Sequence, residues 1–321
     1  MTPTPGRAAE RVVPEGVGPE RVTVRAGGLE RTALVVGAPD GPAGRDLVLV
    51  LHGSRQDGAA LRRATGGALD GLAVRHGAVV AYLDGYRGNW NDARRANAFP
   101  ARQDGVEDVA FVHAVAERLA ASHGTDARRV LAVGFSNGGL MALRLLHERD
   151  HPLAGAAVVA MTMPVPADFL LPVGRAERPV PVLLVHGTAD RVVPYRGGRV
   201  PWWARRVFHV DGTSLSAPAT AAYLADRNGL AGPPVAETLP GTGTGTGTGT
   251  GARGGRPRGT TAELLTWAQE GQPPVVLCTV HGGGHTVPGP ARAPARLGRT
   301  GTVPTAELVV RVLGIGDPAA R

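Results

Sequence analysis

The chain has 321 residues, 43% hydrophobic and 4% aromatic, and its 35 basic residues are all arginine against 27 acidic ones, for a formal charge of +8. That length buries a large core in one α/β domain or two smaller ones. Arginine throughout, amid abundant Ala, Gly, Val and Pro, has the look of GC-rich coding, and the arginines are scattered, so the charge does not read as a nucleic-acid surface.

Residues 1–20 are polar and rich in Pro and Gly, and read as a flexible tail. They lack the apolar core of about 7–15 residues that an export signal carries, and no stretch approaches the ~20 apolar residues of a membrane helix. A cytoplasmic location is the resulting expectation. Beyond the tail, residues 21–315 alternate strand and helix as a single α/β domain. Arg21–Arg25 and Arg31–Gly37 form a predicted hairpin around Gly27-Gly28. Asp46–Leu51 is a central strand ending in His52-Gly53-Ser54, followed by one helix over Gly58–His76, a strand over Ala78–Leu83, and a loop from Asp84 to Asn91. A stripe of Val109, Val112, Val115, Ala116 and Leu119 predicts a helix over Asp104–Ser122. Later strands are predicted at Ala156–Met161, Val180–Val185, Glu263–Trp267 and Val275–Val280, with helices at Ser216–Asn228 and Thr305–Leu313. The pattern predicts a mainly parallel sheet with helices on both faces and ligands at the carboxyl ends of its strands. Gly241–Gly251 is a pure Gly-Thr alternation that can bury no apolar area, and a disordered surface loop is expected at about 240–260.

The stretch Val130–Met141 organises the rest. A buried apolar strand stops in Gly134-Phe135-Ser136-Asn137-Gly138 and a helical pattern follows. Strand, sharp turn and helix, with glycines two residues either side of a serine, is the context of a nucleophile elbow. Side chains at the flanking positions would collide with the turn. A serine hydroxyl is a poor nucleophile near neutral pH. It needs an imidazole to take its proton and a carboxylate to orient that imidazole. Two more strand ends supply them: Asp190 in His186-Gly187-Thr188-Ala189-Asp190, and His285 after His281-Gly282-Gly283-Gly284. Nucleophile, acid, histidine is the chain order of the α/β-hydrolase triad. The expected oxyanion donors are the backbone N–H groups of Asn137 and of Ser54.

Two echoes mislead. His281-Gly282-Gly283-Gly284 spells a lipase oxyanion motif but lies downstream of the nucleophile, so its glycines are read as freedom for the loop that delivers His285. Asp211-Gly212-Thr213-Ser214-Leu215-Ser216-Ala217-Pro218 resembles the nucleophile segment of subtilisin-like peptidases, without the matching histidine motif or spacing. Ser214 or Ser216 capping a helix that Pro218 helps to start explains it as well. The lone Cys278 lies in an apolar run and reads as a core residue. No metal-ligand spacing of Cys and His appears, and no cofactor is called for.

Several stretches together resemble the poly(3-hydroxybutyrate) depolymerase-like esterases, a group that includes feruloyl and acetyl-xylan esterases. They are Leu51-His52-Gly53-Ser54-Arg55-Gln56, the Gly85…Trp90-Asn91 loop, Asp108–Val112, the elbow, His186–Asp190…Val193-Pro194-Tyr195, and Gly282–Thr286…Pro288-Gly289. The resemblance spans about Val22–Gly289. It implies an α/β-hydrolase fold and hydrolysis of esters through an acyl-enzyme on Ser136, with Asp190 and His285 completing the triad. The chain departs from that family in having Ser54 where cysteine is common, no disulfides, and Val287 where a tryptophan usually follows the histidine. A serine peptidase on the same scaffold, or a binding protein that keeps the fold without catalysis, are the alternatives. Trp90, Asn91 and Trp202 are candidate substrate contacts, because loop tryptophans are scarce in so aromatic-poor a chain. The short stretch from Thr162 to Arg178 leaves no room for a long lid, so an open cleft is expected. The expected partner is an ester, small or polymer-linked, rather than nucleic acid or membrane.

Overall fold

The computed structural model describes residues 18–208, 210–239 and 259–317. Of the tail expected over residues 1–20, residues 1–17 lie outside the described residues, as do residues 240–258 of the expected Gly-Thr loop, whereas Pro19 and Glu20 belong to the first strand.

β1 (Pro19–Ala26) and β2 (Leu29–Val36) form the expected hairpin. β3 (Arg45–Leu51), buried along its whole length, follows. The single helix expected over 58–76 is instead α1 (Gly58–Ala64), a 3₁₀ turn, and α2 (Gly71–His76). Gly66 and Gly67, at φ +62° and +68°, take left-handed conformations that end α1. After β4 (Val79–Leu83) comes the short α3 (Pro100–Gln103), closed off by Gly105 at φ +61°, so that α4 (Asp108–His123) starts later than its sequence pattern suggested. β5 (Thr125–Phe135), α5 (Asn137–His147), β6 (Leu153–Val159) and β7 (Val182–Gly187) then alternate.

Between β7 and α7 (Ala217–Arg227) lies an excursion absent from the sequence expectations. It holds β8 (Gly198–Arg199), α6 (Trp202–Phe208) and β9 (Thr213–Ser214), the two strands pairing as a small hairpin. Ser216 caps α7 by accepting the Ala219 N–H at 3.1 Å, which accounts for the peptidase-like serines. An unforeseen edge strand, β10 (Val235–Leu239), almost wholly exposed, precedes β11 (Thr261–Gln269), β12 (Gln272–His281) and α8 (Thr305–Leu313). Its lack of a buried face left no alternation to read.

Among the described residues ten strands form one sheet in the order β1-β2-β4-β3-β5-β6-β7-β12-β11-β10. The run from β4 to β12 is parallel throughout, and the two ends are antiparallel. Alternate residues of β5 serve two cores. Val130 and Ala132 pack with α4, α5 and α7 on one face, and Leu131, Val133 and Phe135 with α1, α2 and α8 on the other. Two covered faces explain why the central strands read as unbroken apolar runs. Cys278 is fully buried on β12, where burial pushes its thiol up to about 12, leaving it inert. No helix among the described residues is long and apolar enough to cross a membrane.

Two buried histidines tie the fold to pH. His147 donates from Nδ1 to the Leu143 carbonyl at 2.7 Å and takes the Tyr223 hydroxyl on Nε2 at 2.7 Å. Burial lowers its pKa to about 4, and burial with Arg178 nearby lowers that of His151 to about 4. Between that value and the ordinary one near 6.5, the unfolded chain binds more protons than the folded one. Stability is therefore complete above about pH 6.5 and drains away as the pH falls toward 4, at up to roughly 1.4 kcal/mol per pH unit for His147. The Tm is expected to drop across that window in calorimetry, and His147→Gln to make the drop shallower. Equal slopes for the two proteins would remove His147 as a source.

Candidate active site

The site begins with a strained turn. Ser136, between β5 and α5, has φ +53° and ψ −118°, a conformation that costs a non-glycine residue of order 1–3 kcal/mol. The surroundings hold it there: its N–H donates to the Val159 carbonyl at 2.9 Å and its carbonyl accepts from Leu140 at 3.1 Å. A Cβ on Gly134 would lie 2.2 Å from the Gly138 carbonyl oxygen, and one on Gly138 would lie 2.1 Å from that of Leu51. The flanking glycines thus let the first turn of α5 sit directly against the ends of β5 and β3.

β7 and β12 are parallel neighbours, so the loops leaving their carboxyl ends emerge side by side. Gly187 makes this closeness possible, since a Cβ there would stand 2.3 Å from the Gly283 carbonyl oxygen. Of the glycines expected to give the histidine loop freedom, Gly282 does sit at φ +74°, whereas Gly283 and Gly284 answer chiefly to close packing. From these loops, Asp190 and His285 meet Ser136. His285 Nε2 is 2.9 Å from Ser136 Oγ, and His285 Nδ1 is 2.8 Å from Asp190 Oδ2. Because a carboxylate only accepts, Nδ1 donates and Nε2 is left to accept from the serine hydroxyl. The other oxygen of Asp190 accepts the N–H groups of Val192 and Val193, each at 2.8 Å. The Asp190 side chain is completely buried, and the Phe135 ring lies 5.1 Å from that of His285. His186, 3.5 Å from the same carboxylate, donates from Nε2 to the Val193 carbonyl, and burial lowers its pKa, so it stands as a neutral neighbour.

Asn137 is the first residue of α5, where backbone N–H groups have no helical acceptor and the helix dipole is positive. Ser54 lines the same cleft as Ser136, and a Cβ on Gly53 would approach that of Ser136 to 3.3 Å, so the two loops are in contact. His52, whose role the sequence did not reveal, clamps the Gly53-Ser54 turn. It donates from Nδ1 to the Gly53 carbonyl at 2.7 Å and accepts the Gly85 N–H on Nε2 at 2.8 Å. Burial lowers its pKa, keeping the ring neutral and both bonds intact.

The three expected substrate contacts are not brought to the cleft. Trp90 is fully buried, with its indole N–H on the His52 carbonyl at 2.9 Å and its backbone N–H on Asn137 Oδ1 at 2.9 Å. Asn91 is also buried, donating its backbone N–H to Asp108 and its side chain to the Val106 carbonyl. Both brace the loop beneath the elbow from behind. Trp202 is 72% exposed at the start of α6 and points away, while Ala204 and Val207 of that helix face the cleft. The cleft is also less open than the short 162–178 stretch suggested. The excursion after β7 walls it, leaving a cavity of about 390 Å³ with an apolar lining that includes Phe99, Leu140, Met161 and Val193. Single-residue scarcity drew attention to the tryptophans, but burial was decided by contacts from distant loops.

Residues 92–200 match the profile of the Phospholipase/Carboxylesterase family. The chain is 35% identical over 259 residues to NocK of Nocardia uniformis subsp. tsuyamanensis, a protein named as an esterase, covering 79% of this chain and 68% of that one. It is 28% identical over 230 residues to feruloyl esterase B of Piromyces equi, covering 71% of this chain but 37% of the relative. In three dimensions it resembles an acetyl xylan esterase from Aspergillus awamori, with a TM-score of 0.57 at 14% identity over 92% of this chain and 99% of that one. That last likeness speaks for the fold, and the likeness to NocK for the family. The chain belongs to the esterase family of α/β-hydrolases and is a serine carboxylic ester hydrolase.

Proposed function

We propose that Ser136 is the nucleophile of this ester hydrolase, His285 its general base and acid, and Asp190 the carboxylate that orients His285. The observation that carries this reading is the unbroken line from Ser136 Oγ through His285 to Asp190, at 2.9 and 2.8 Å. His285 Nε2 takes the hydroxyl proton as Oγ attacks the ester carbonyl carbon. The carbonyl oxygen becomes an oxyanion, accepting the N–H groups of Asn137 and Ser54 at the positive end of α5. As the tetrahedral adduct collapses, the C–O bond to the alcohol breaks, and His285 returns its proton to the departing oxygen. Water then repeats the sequence on the acyl-enzyme, with His285 again taking a proton, and the free acid leaves.

The apolar cleft of about 390 Å³ suits a small or medium acyl group. Feruloyl and acetyl esters, the substrates in the names of its relatives, are the first to try. A fluorophosphonate probe is expected to attach to one serine, and mass spectrometry of the digest to place the adduct on Ser136. Labelling at another residue, or none, would break the assignment, because only a hydroxyl beside a base reacts with such a probe.

A further inference from the structure

We infer that the cleft is built to bind a carboxylate carried by the acyl group, held by Arg94 and Thr162. The inference rests on the reading of Ser136 and His285 given above, since the group that departs must face the imidazole that protonates it. The acyl group then extends into the rest of the cleft, lined by Asn137 and Leu140 of the first turn of α5 together with Arg94 and Thr162.

Two polar side chains there each hold a buried atom without a hydrogen-bond partner. Thr162 lines the cleft, is 0% exposed, and its hydroxyl has no hydrogen-bond partner. It follows Met161, whose Cβ would lie 2.9 Å from a Cβ on Gly139 in that same first turn. Arg94 also lines the cleft, with a side chain 11% exposed and a buried Nε that has no partner. Its Nη2 lies 3.2 Å from Asp92 Oδ2, the oxygen that accepts Asn137 Nδ2 at 2.7 Å, so the guanidinium is anchored next to the residue after the nucleophile. An unmatched donor in an apolar wall is costly unless something arrives to accept it.

The charge balance selects an anion. Arg102 Nη2 donates to the backbone carbonyl of Asp92 rather than to its carboxylate, and Arg102 Nε is likewise unpartnered. Arg144, also near, is paired with Glu148. The charged side chains lining the cleft are Arg55, Arg94 and Arg296, and no Asp or Glu is among the lining residues. A guanidinium and a hydroxyl on the wall of one apolar cavity match the two oxygens of a carboxylate. The substrate class that results is the monoester of a dicarboxylic acid.

The test compares monophenyl adipate with phenyl hexanoate, which has the same acyl chain length and no charge, following phenol release above the spontaneous rate. Wild type is expected to favour the monoadipate in kcat/KM by about tenfold or more, as a site with unmatched donors discriminates for the group that satisfies them. Thr162→Val should cut that preference about fivefold, chiefly through KM, without lowering the Tm, because the hydroxyl bonds to nothing in the free enzyme. Arg94→Met should reverse the preference, and should it fail to fold, Thr162→Val carries the test alone. A wild-type preference for phenyl hexanoate, with Ser136→Ala inactive on both esters, would overturn the carboxylate subsite and leave the catalytic relay standing. Turnover of both esters that survives Ser136→Ala would instead overturn the relay, and the subsite with it. A Tm loss in Thr162→Val would show a structural partner for the hydroxyl and count against the subsite.

Discussion

Ser136→Ala is expected to lower kcat on phenyl acetate by at least about 10⁴-fold, leaving only what the oxyanion donors and substrate binding contribute. The remaining fold should be intact, since the hydroxyl makes one hydrogen bond, to His285, and the backbone bonds of residue 136 survive the change. A companion variant separates catalysis from strain. At φ +53° and ψ −118°, alanine retains the steric penalty that serine bears, whereas glycine does not. Ser136→Gly is therefore expected to be as inactive as Ser136→Ala yet more stable by about 1 kcal/mol, read from urea midpoints at equal slope. A higher midpoint for the alanine variant would contradict the strain. Activity within tenfold of wild type would remove Ser136 from the mechanism.

Asp190→Asn should come next in severity, at about 10³- to 10⁴-fold in kcat with little change in KM. The reason lies in the two N–H groups of Val192 and Val193, which donate to Asp190 Oδ1. They would hold the amide oxygen of the new asparagine and turn its NH₂ toward His285 Nδ1. An NH₂ can only donate, so Nδ1 must become the acceptor and the proton must move to Nε2. In that tautomer Nε2 cannot take the proton of Ser136. Fluorophosphonate labelling of Ser136 should slow in step with kcat. Retained activity would mean that the orientation of His285 does not depend on Asp190.

Much of this site was legible in the residues because its local requirements are severe. A serine between a buried strand and a helix, with glycine at 134 and 138, leaves few other readings, and the collisions that a Cβ would cause there show why. The central strands were equally plain, since burial on both faces produces unbroken runs such as Asp46–Leu51. Helix boundaries were less so. The left-handed Gly66 and Gly67 split what looked like one helix, and β10, exposed on both faces, carried no alternation at all.

The sequence by itself determined the elements that a short window can specify: the elbow, the buried parallel strands, the order of Ser136, Asp190 and His285, and the cap at Ser216. Tertiary structure alone decided which side chains share a cavity. Trp90 and Asn91 went behind the elbow because acceptors on His52, Val106, Asp108 and Asn137 awaited their N–H groups there. His52, Arg94 and Thr162 acquired their positions from contacts made across the sheet and between loops. Hydrophobic periodicity records whether a residue faces a core, but it holds no information about which distant loop will stand opposite, and that is where the chemistry of a cleft is set.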